Sequence, residues 1–379
     1  MLLINNSVFI SLNGLAGFML AANKALATLP VTGYVVGGAL FAIPAAQFMK
    51  RFGRRAGFTL GSLMGIAGSG VCALAIWLNS FELLCLGTLT SGGYNAFAVQ
   101  YRFAAADTAP ADFRAKAIAL VLAGGIAGGF LGPESAKLTK DLMWLPFIGS
   151  YISLMAFALV SIGILRFLQI PNIKPEASAT ARRPLSQIAR QPAFIVAVTA
   201  AAVGYGVMNL LMTATPLAMG HEQHPFSAAA FVIEWHVVGM FAPGFFTGDL
   251  IKRFGVLRVM FAGVALNLVC VGVALSGTDV MHFWWALVLL GVGWNFLYVG
   301  GTTLLIESYR PDEKALVQGF NDACVFAVMA VSSFSSGMLL HANGWTMLNR
   351  FSLVPLAVLL AALAWMAWVR RTRAPAVTV

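Results

Sequence analysis

The sequence predicts an all-α membrane protein with twelve transmembrane helices, arranged as two six-helix bundles related by a pseudo-two-fold axis. Three observations predict this fold class. Hydrophobic residues make up 59% of the 379-residue chain and charged residues only 10%, with a mean hydropathy of +0.83, a composition far from that of a soluble domain. Apolar stretches of about 20 residues recur along the chain, and two short motifs are repeated half a chain apart.

The apolar stretches are each long enough to cross a hydrocarbon core of about 30 Å as a helix. We place the spans near residues 6–24, 32–49, 56–78, 83–104, 116–133, 146–169, 192–214, 227–248, 256–276, 282–305, 315–339 and 347–369. No basic segment precedes the first stretch, so we interpret it as a span rather than a cleaved signal peptide.

The net charge of +10 is distributed in a way that indicates membrane orientation and argues against a nucleic-acid partner. If the amino terminus is cytoplasmic, only four of the 24 Lys and Arg residues fall on the outer face, namely Lys24, Lys137, Lys140 and Arg350. This asymmetry is the positive-inside pattern. We therefore expect a multi-pass protein of the bacterial cytoplasmic (inner) membrane, with both termini in the cytoplasm.

An internal repeat predicts how the spans are grouped. Lys50-Arg51-Phe52-Gly53 recurs as Lys252-Arg253-Phe254-Gly255 at an offset of 202, and Gly93-Tyr94-Asn95 recurs as Gly293-Trp294-Asn295 at an offset of 200. Two segments at nearly one offset indicate a duplicated unit. We predict an amino-terminal bundle over residues 1–171, a cytoplasmic linker over 172–191 and a carboxy-terminal bundle over 192–379, in a monomer.

Two pairs of side chains in neighbouring spans form the candidate site: Met208 with Met212, and His236 with Met240. A spacing of four places both members of a pair on one helix face, about 6 Å apart along the axis. Three thioethers and one imidazole favour Cu(I) over hard cations. Methionine is often only a packing residue, but an imidazole deep in a span indicates function. We predict a copper site at these four residues, with copper as the transported substrate and no cofactor.

Other polar residues have two interpretations each. Met219, His221 and His224 lie in or near the loop between spans 7 and 8, where they either collect copper or belong to an ordinary polar loop. Glu234 and Asp322 either carry a coupling proton or serve a structural role. The cysteines form no paired motif and are interpreted as buried apolar residues, with a copper-ligating thiol, above all that of Cys324, as the alternative: Cys72, Cys85, Cys270 and Cys324.

The sequence contains no nucleotide-binding loop, hydrolase triad or haem-attachment motif. We therefore expect neither enzyme activity nor ATP use.

Over nearly its full length the chain resembles the major facilitator superfamily. The resemblance rests on Arg51-Phe52-Gly53-Arg54-Arg55 between spans 2 and 3, on its partner in the second half, and on the arrangement of six plus six spans. It implies two bundles that rock about a midplane site to give alternating access. One departure is that Lys50 and Lys252 stand where the loop of this family usually carries an acid.

Within that superfamily, Met208-Asn-Leu-Leu-Met212 and His236-Val-Val-Gly-Met240 resemble the paired motifs of the CcoA-type copper importers. This resemblance implies import of copper as Cu(I) for assembly of a haem-copper oxidase, with periplasmic or cytoplasmic copper chaperones as partners.

Three alternatives stay open. Close relatives without the Met and His residues are thought to carry riboflavin. Gly124, Gly128 and Gly132-Pro133 partly resemble a motif of proton-coupled drug exporters. The third alternative is a copper-binding assembly factor that holds the ion without moving it.

Overall fold

The computed structural model describes residues 2–101, 104, 114–168, 183–310 and 313–373, and these are almost entirely helical. The long helices are α1 Leu2–Leu20, α2 Leu29–Phe52, α3 Arg54–Trp77, α4 Phe81–Ala98, α5 Arg114–Thr139, α6 Ile148–Phe167, α7 Pro192–His221, α8 Phe226–Phe241, α9 Gly244–Phe254, α10 Val256–Ser276, α11 Val280–Ile306 and α12 Lys314–Arg373. The last of these consists of two helices that meet at Gly344, where φ is 71°.

Each of the twelve predicted spans overlaps helical structure, although the span 227–248 is divided between α8 and α9 and the last two spans both lie in α12. Apolar runs of this length satisfy their backbone hydrogen bonds in a membrane as helices. Within the described residues, seven segments are individually long and apolar enough to cross a membrane, and one of them, Gly319–Thr372, covers most of the last two predicted spans. The count rises to eight if α8 and α9, which meet at a bend of 42°, form one broken span. The fold is that of a multi-pass helical membrane protein.

The repeated Lys-Arg-Phe-Gly motif forms the same turn in both halves. Gly53 ends α2 with φ of 87°, and Gly255 ends α9 with φ of 86°, a conformation that glycine adopts without steric cost. After the first turn, Arg55 donates a hydrogen bond from Nη2 to the carbonyl of Arg166 at 2.8 Å. In this structure the arginine after the turn therefore binds the carboxy-terminal end of a neighbouring helix, α6.

We call the end of the molecule that carries Arg54, Arg55, Lys252 and Arg253 the basic end, and the opposite end the far end. The basic end is the one predicted to be cytoplasmic. Within each half the helices pack in the same order, α2 and α3 against α4 in the first half and α8 and α10 against α11 in the second. The two halves thus repeat one helical arrangement, as the sequence repeat predicts.

Among the described residues, the contacts between the two halves lie toward the far end. The Thr32 hydroxyl on α2 donates to the Ser333 hydroxyl on α12 at 3.2 Å. The ring of Phe18 on α1 meets that of His221 on α7 edge-on, with centroids 6.2 Å apart. Helix α5 packs against α8 across the same boundary. The far end is therefore closed in this conformation.

The predicted linker falls partly on residues 172–182, which lie outside the described part of the chain. Its last residues, from Arg183 onward, pack on the second half. Ile188 is fully buried in a cluster of that half, and Gln191 donates to the carbonyl of Ser308 at 2.9 Å. The end of the linker is thus fixed to the carboxy-terminal bundle.

Candidate functional site

The four predicted ligands lie on the two helices expected to carry them. Met208 and Met212 are on α7, and His236 and Met240 are on α8. His236 is fully buried, and the three methionines are at most 7% exposed. The methionines also belong to a single continuous cluster of buried side chains in the second half. The three thioethers therefore lie in one apolar cluster, and the copper site stays a prediction.

The imidazole of His236 is fixed by a backbone group on α11. Its Nδ1 lies 2.7 Å from the carbonyl oxygen of Leu287. Because a carbonyl oxygen only accepts hydrogen bonds, Nδ1 carries the hydrogen. In the neutral ring Nε2 then presents a lone pair, and this buried atom has no partner. Ligating histidines commonly have this arrangement, with one nitrogen held by a carbonyl and the other directed at the ligand.

The helix that carries His236 ends at Phe241, one residue after Met240. Pro243 has no N–H group, and the chain bends by 42° before continuing as α9. The Nδ2 of Asn295 on α11 donates to the Met240 carbonyl at 2.7 Å, and the Thr247 hydroxyl donates to Oδ1 of the same amide at 2.7 Å. The Gly-Trp-Asn motif, noticed in the sequence only as a repeat, thus supports the break. Broken helices are typical of substrate sites in transporters.

Four aromatic side chains beside this break were not predicted to belong to the site. We call Tyr205 on α7, Phe241 on α8, and Trp294 and Tyr298 on α11 the aromatic cluster. Trp294 and Tyr298 stack with centroids 5.1 Å apart and an interplanar angle of 12°, and Tyr205 stands edge-on to both. Phe241 meets Trp294 edge-on at 6.0 Å. The spacing of four residues predicts that Trp294 and Tyr298 lie on one face of α11. Nothing in the sequence predicts their contacts with Tyr205 on α7 and Phe241 on α8.

The loop predicted as a copper collector is only partly exposed. Met219 is fully buried and cannot meet an ion at the surface. His221 is exposed, while His224 donates from Nε2 to the carbonyl of Thr278 at 2.7 Å. His224 also lines a cavity of about 480 Å³ between the halves at the far end, together with Lys140. The loop therefore has structural contacts of its own, which favours the interpretation as an ordinary polar loop.

The two candidate coupling acids have different surroundings. Glu234 is 5% exposed on α8, on the helix that packs against α5 of the other half. Asp322 is half-buried on α12 and accepts a hydrogen bond from the side chain of Asn321 at 3.2 Å.

Within the described residues no three His, Cys, Asp or Glu side chains come together as a metal site.

Comparison with known proteins gives a family match that covers the chain. The family model described as Major Facilitator Superfamily matches residues 1–242 and 197–379. The riboflavin transporter RfnT of Brucella anthropi is 42% identical over 347 residues, which cover 90% of this chain and 87% of that protein. The uncharacterized MFS-type transporter YddS of Bacillus subtilis is 30% identical over 358 residues, covering 90% of this chain and 82% of that protein.

A solved structure agrees with the same fold. The nucleoside transporter NupG, in its D323A mutant form, superimposes with a TM-score of 0.72 and covers 96% of this chain and 97% of its own, at 13% identity. These findings support the superfamily predicted from the sequence. They do not support the finer resemblance to copper importers, because the relative that is 42% identical is named a riboflavin transporter.

Proposed function

Because the chain belongs to the major facilitator superfamily and is a secondary transporter rather than an enzyme, we propose that it takes up a riboflavin-like compound across the bacterial cytoplasmic membrane. The observation that carries this proposal is the 42% identity to RfnT over 90% of the chain. An alignment of that extent includes both halves, and therefore the helices α7, α8 and α11 that surround the candidate site. A transporter of this kind needs no cofactor.

The proposed mechanism is alternating access between the two halves. In the conformation described here the far end is closed by contacts such as that between Thr32 and Ser333. Cargo enters when these contacts separate, binds near the break in α8, and leaves at the basic end when they form again. A buried site that is covered when the two bundles close suits a small organic compound, because closure removes both the cargo and the site from water.

Uptake of radiolabelled riboflavin tests the proposal. The chain is expressed in a bacterium that lacks flavin synthesis and flavin transport, with the empty vector as the control. We expect accumulation that unlabelled riboflavin suppresses and ribitol does not. If the protein is present in the membrane at normal amounts and the cells accumulate no more flavin than the control, the proposal is wrong.

A second candidate cargo is copper, and one specific observation favours it. The Nε2 of His236 is buried without a partner while Nδ1 is held by the Leu287 carbonyl. An imidazole oriented in this way, on a helix packed beside the thioethers of Met208 and Met212, suits Cu(I) as a transported ion. This candidate rests on side chains of the second half alone, since the repeat places no soft ligand at the equivalent positions of the first half.

Accumulation of copper-64 by cells distinguishes copper from a riboflavin-like compound as the cargo. It is measured for two methionine variants that are matched for side-chain packing. Replacing Met212 by Leu removes a thioether at nearly constant volume. Met219→Leu is the control, because Met219 is equally buried on the same helix but was not predicted as a ligand of the buried site. If copper is the cargo, Met212→Leu lowers copper uptake and Met219→Leu does not. Equal copper uptake by wild type, both variants and the empty vector would exclude copper.

A further inference from the structure

Three helices meet at the aromatic cluster, and their rings are not all covered. Trp294 is 3% exposed, whereas Tyr205, Phe241 and Tyr298 are half-buried. The cluster therefore combines a buried indole with ring surface that is still accessible. Planar aromatic compounds bind to such surfaces by offset stacking or by edge-to-face contact.

The indole N–H of Trp294 is a buried donor without an acceptor. Its Nε1 atom is shielded from solvent and has no hydrogen-bond partner. Buried tryptophan N–H groups usually find a partner, because an unpaired donor away from water costs free energy. A cargo with a carbonyl oxygen would satisfy this donor.

The break in α8 places the cluster at a fixed position. The Asn295 amide donates to the Met240 carbonyl. Asn295 is the chain neighbour of Trp294 on α11, and Met240 is the chain neighbour of Phe241 on α8. The two aromatic residues are therefore held next to each other by the hydrogen bond of their chain neighbours. Binding groups that are fixed in advance lose less entropy when a ligand arrives.

The fold itself does not require this cluster. In the repeat, Trp294 corresponds to Tyr94 and Tyr298 to Ala98. The ring of Tyr94 packs closely on Gly65 within the first half, where an added Cβ would lie 3.0 Å from it. The stacked pair is thus specific to the second half, which suggests a role in binding rather than in packing.

We propose that the aromatic cluster is the subsite that receives the planar ring of the cargo, with the indole N–H of Trp294 donating to a carbonyl oxygen of a heterocycle such as isoalloxazine. The rings of Tyr205 and Tyr298 supply the stacking surface. This inference rests on the proposed function and adds the residues that recognise the ring.

Quenching of flavin fluorescence by the purified full-length protein in detergent tests the subsite. The probes are riboflavin and lumiflavin, which has the ring without the ribityl chain. Trp294→Phe keeps an aromatic ring and removes the N–H, and Tyr298→Leu removes a stacking surface. Trp284→Phe is the matched control, because its Nε1 is likewise buried and unpartnered but its ring packs with Phe231, Trp235 and Trp285.

We expect Trp294→Phe and Tyr298→Leu each to weaken the binding of both probes by about tenfold, as loss of one good hydrogen bond or stacking contact would. Trp284→Phe should bind as wild type does. Thermal unfolding of each variant shows whether it is folded. If Trp294→Phe does not fold, the binding measured for Tyr298→Leu tests the subsite. Unchanged binding by a folded variant would overturn this inference alone, whereas wild-type protein that binds neither probe would overturn the proposed function with it.

Discussion

The hydroxyl of Thr32 donates to the hydroxyl of Ser333 at 3.2 Å, although the two residues are 301 positions apart in the chain. Thr32 lies in the first turn of α2 and Ser333 in the far part of α12, so the bond joins the two halves at the far end. Thr28, the N-cap residue of α2, is close to Gly337, where an added Cβ would lie 3.2 Å from the Thr28 Cβ. The absence of a side chain at Gly337 permits this approach.

A disulfide at this position should stop transport. In a Thr32→Cys/Ser333→Cys variant we expect diamide to form the bond and to reduce riboflavin uptake to background, because the far end can no longer open. Dithiothreitol should restore uptake, and each single cysteine variant should be insensitive to diamide. Normal uptake by protein shown by gel shift to be fully crosslinked would mean that these helices do not separate during transport.

The closed far end should also depend on Gly129 of α5, which allows this helix to approach α8 closely. An added Cβ at Gly129 would lie 2.7 Å from Cγ1 of Val237 on α8, in the other half, whereas Gly124 on the same helix has no atom within 4 Å of such a Cβ. Gly129→Val should therefore push the halves apart and lower uptake severalfold, since overpacking a tight contact is destabilising by about 1–3 kcal/mol. Gly124→Ala is the control and should transport normally. Equal uptake rates in the two variants would contradict the close packing of α5 and α8.

An ion pair at the basic end should make stability depend on pH. Arg183 contacts the Glu313 carboxylate through Nε at 2.7 Å and Nη2 at 2.5 Å, and the backbone N–H of Arg310 donates to it at 2.9 Å. The hydrogen bond from the Arg183 side chain lowers the pKa of Glu313 from 4.5 to about 2. Because the folded pKa is the lower one, the pair stabilises the protein fully above pH 4.5 and loses this effect as the pH falls towards 2.

Glu313→Gln should accordingly lower the melting temperature at pH 7, and the difference from wild type should shrink between pH 4.5 and pH 2. The control is Glu307→Gln. Glu307 pairs with Arg370 at 2.6 Å, but the two side chains are 48% and 39% exposed, so the loss of this pair should have little effect. A melting-temperature difference that stays constant over this pH range would show that the charge of Glu313 does not contribute.

The helices could be predicted because their signal lies within each segment. Long apolar runs define the spans, and the repeated glycine turns mark equivalent positions in the two halves. One prediction missed a break within a span. The span predicted over 227–248 is divided at Pro243, and a proline inside a helical pattern is a known signal for such a break.

The site was less predictable because its contacts join helices that are distant in sequence. Helical spacing placed Met208, Met212, His236 and Met240 on two neighbouring helices. It gave no information about the Leu287 carbonyl that holds His236, because a backbone acceptor has no sequence signature. Trp294 was recognised only as part of the repeat, since its stacking with Tyr205 depends on how α7 and α11 pack.

The hydrogen bond between Asn295 and Met240 leads to the last prediction. Asn295→Ala would leave the Met240 carbonyl without its donor at the break in α8, whereas the Thr247 hydroxyl would still donate to the Pro243 carbonyl at 2.7 Å. Leaving a buried polar group unpaired costs about 1–3 kcal/mol, so this variant should unfold at a lower temperature and bind flavin more weakly. The repeat provides a matched control in Asn95, whose side-chain nitrogen lies 3.5 Å from a Cβ added at Gly38 on the uninterrupted helix α2. Helix α2 continues past Gly38, and Pro44 removes only the helical partner of the Leu40 carbonyl, so Asn95→Ala should cost less stability than Asn295→Ala. Equal losses in thermal unfolding would mean that the break in α8 does not depend on the Asn295 amide.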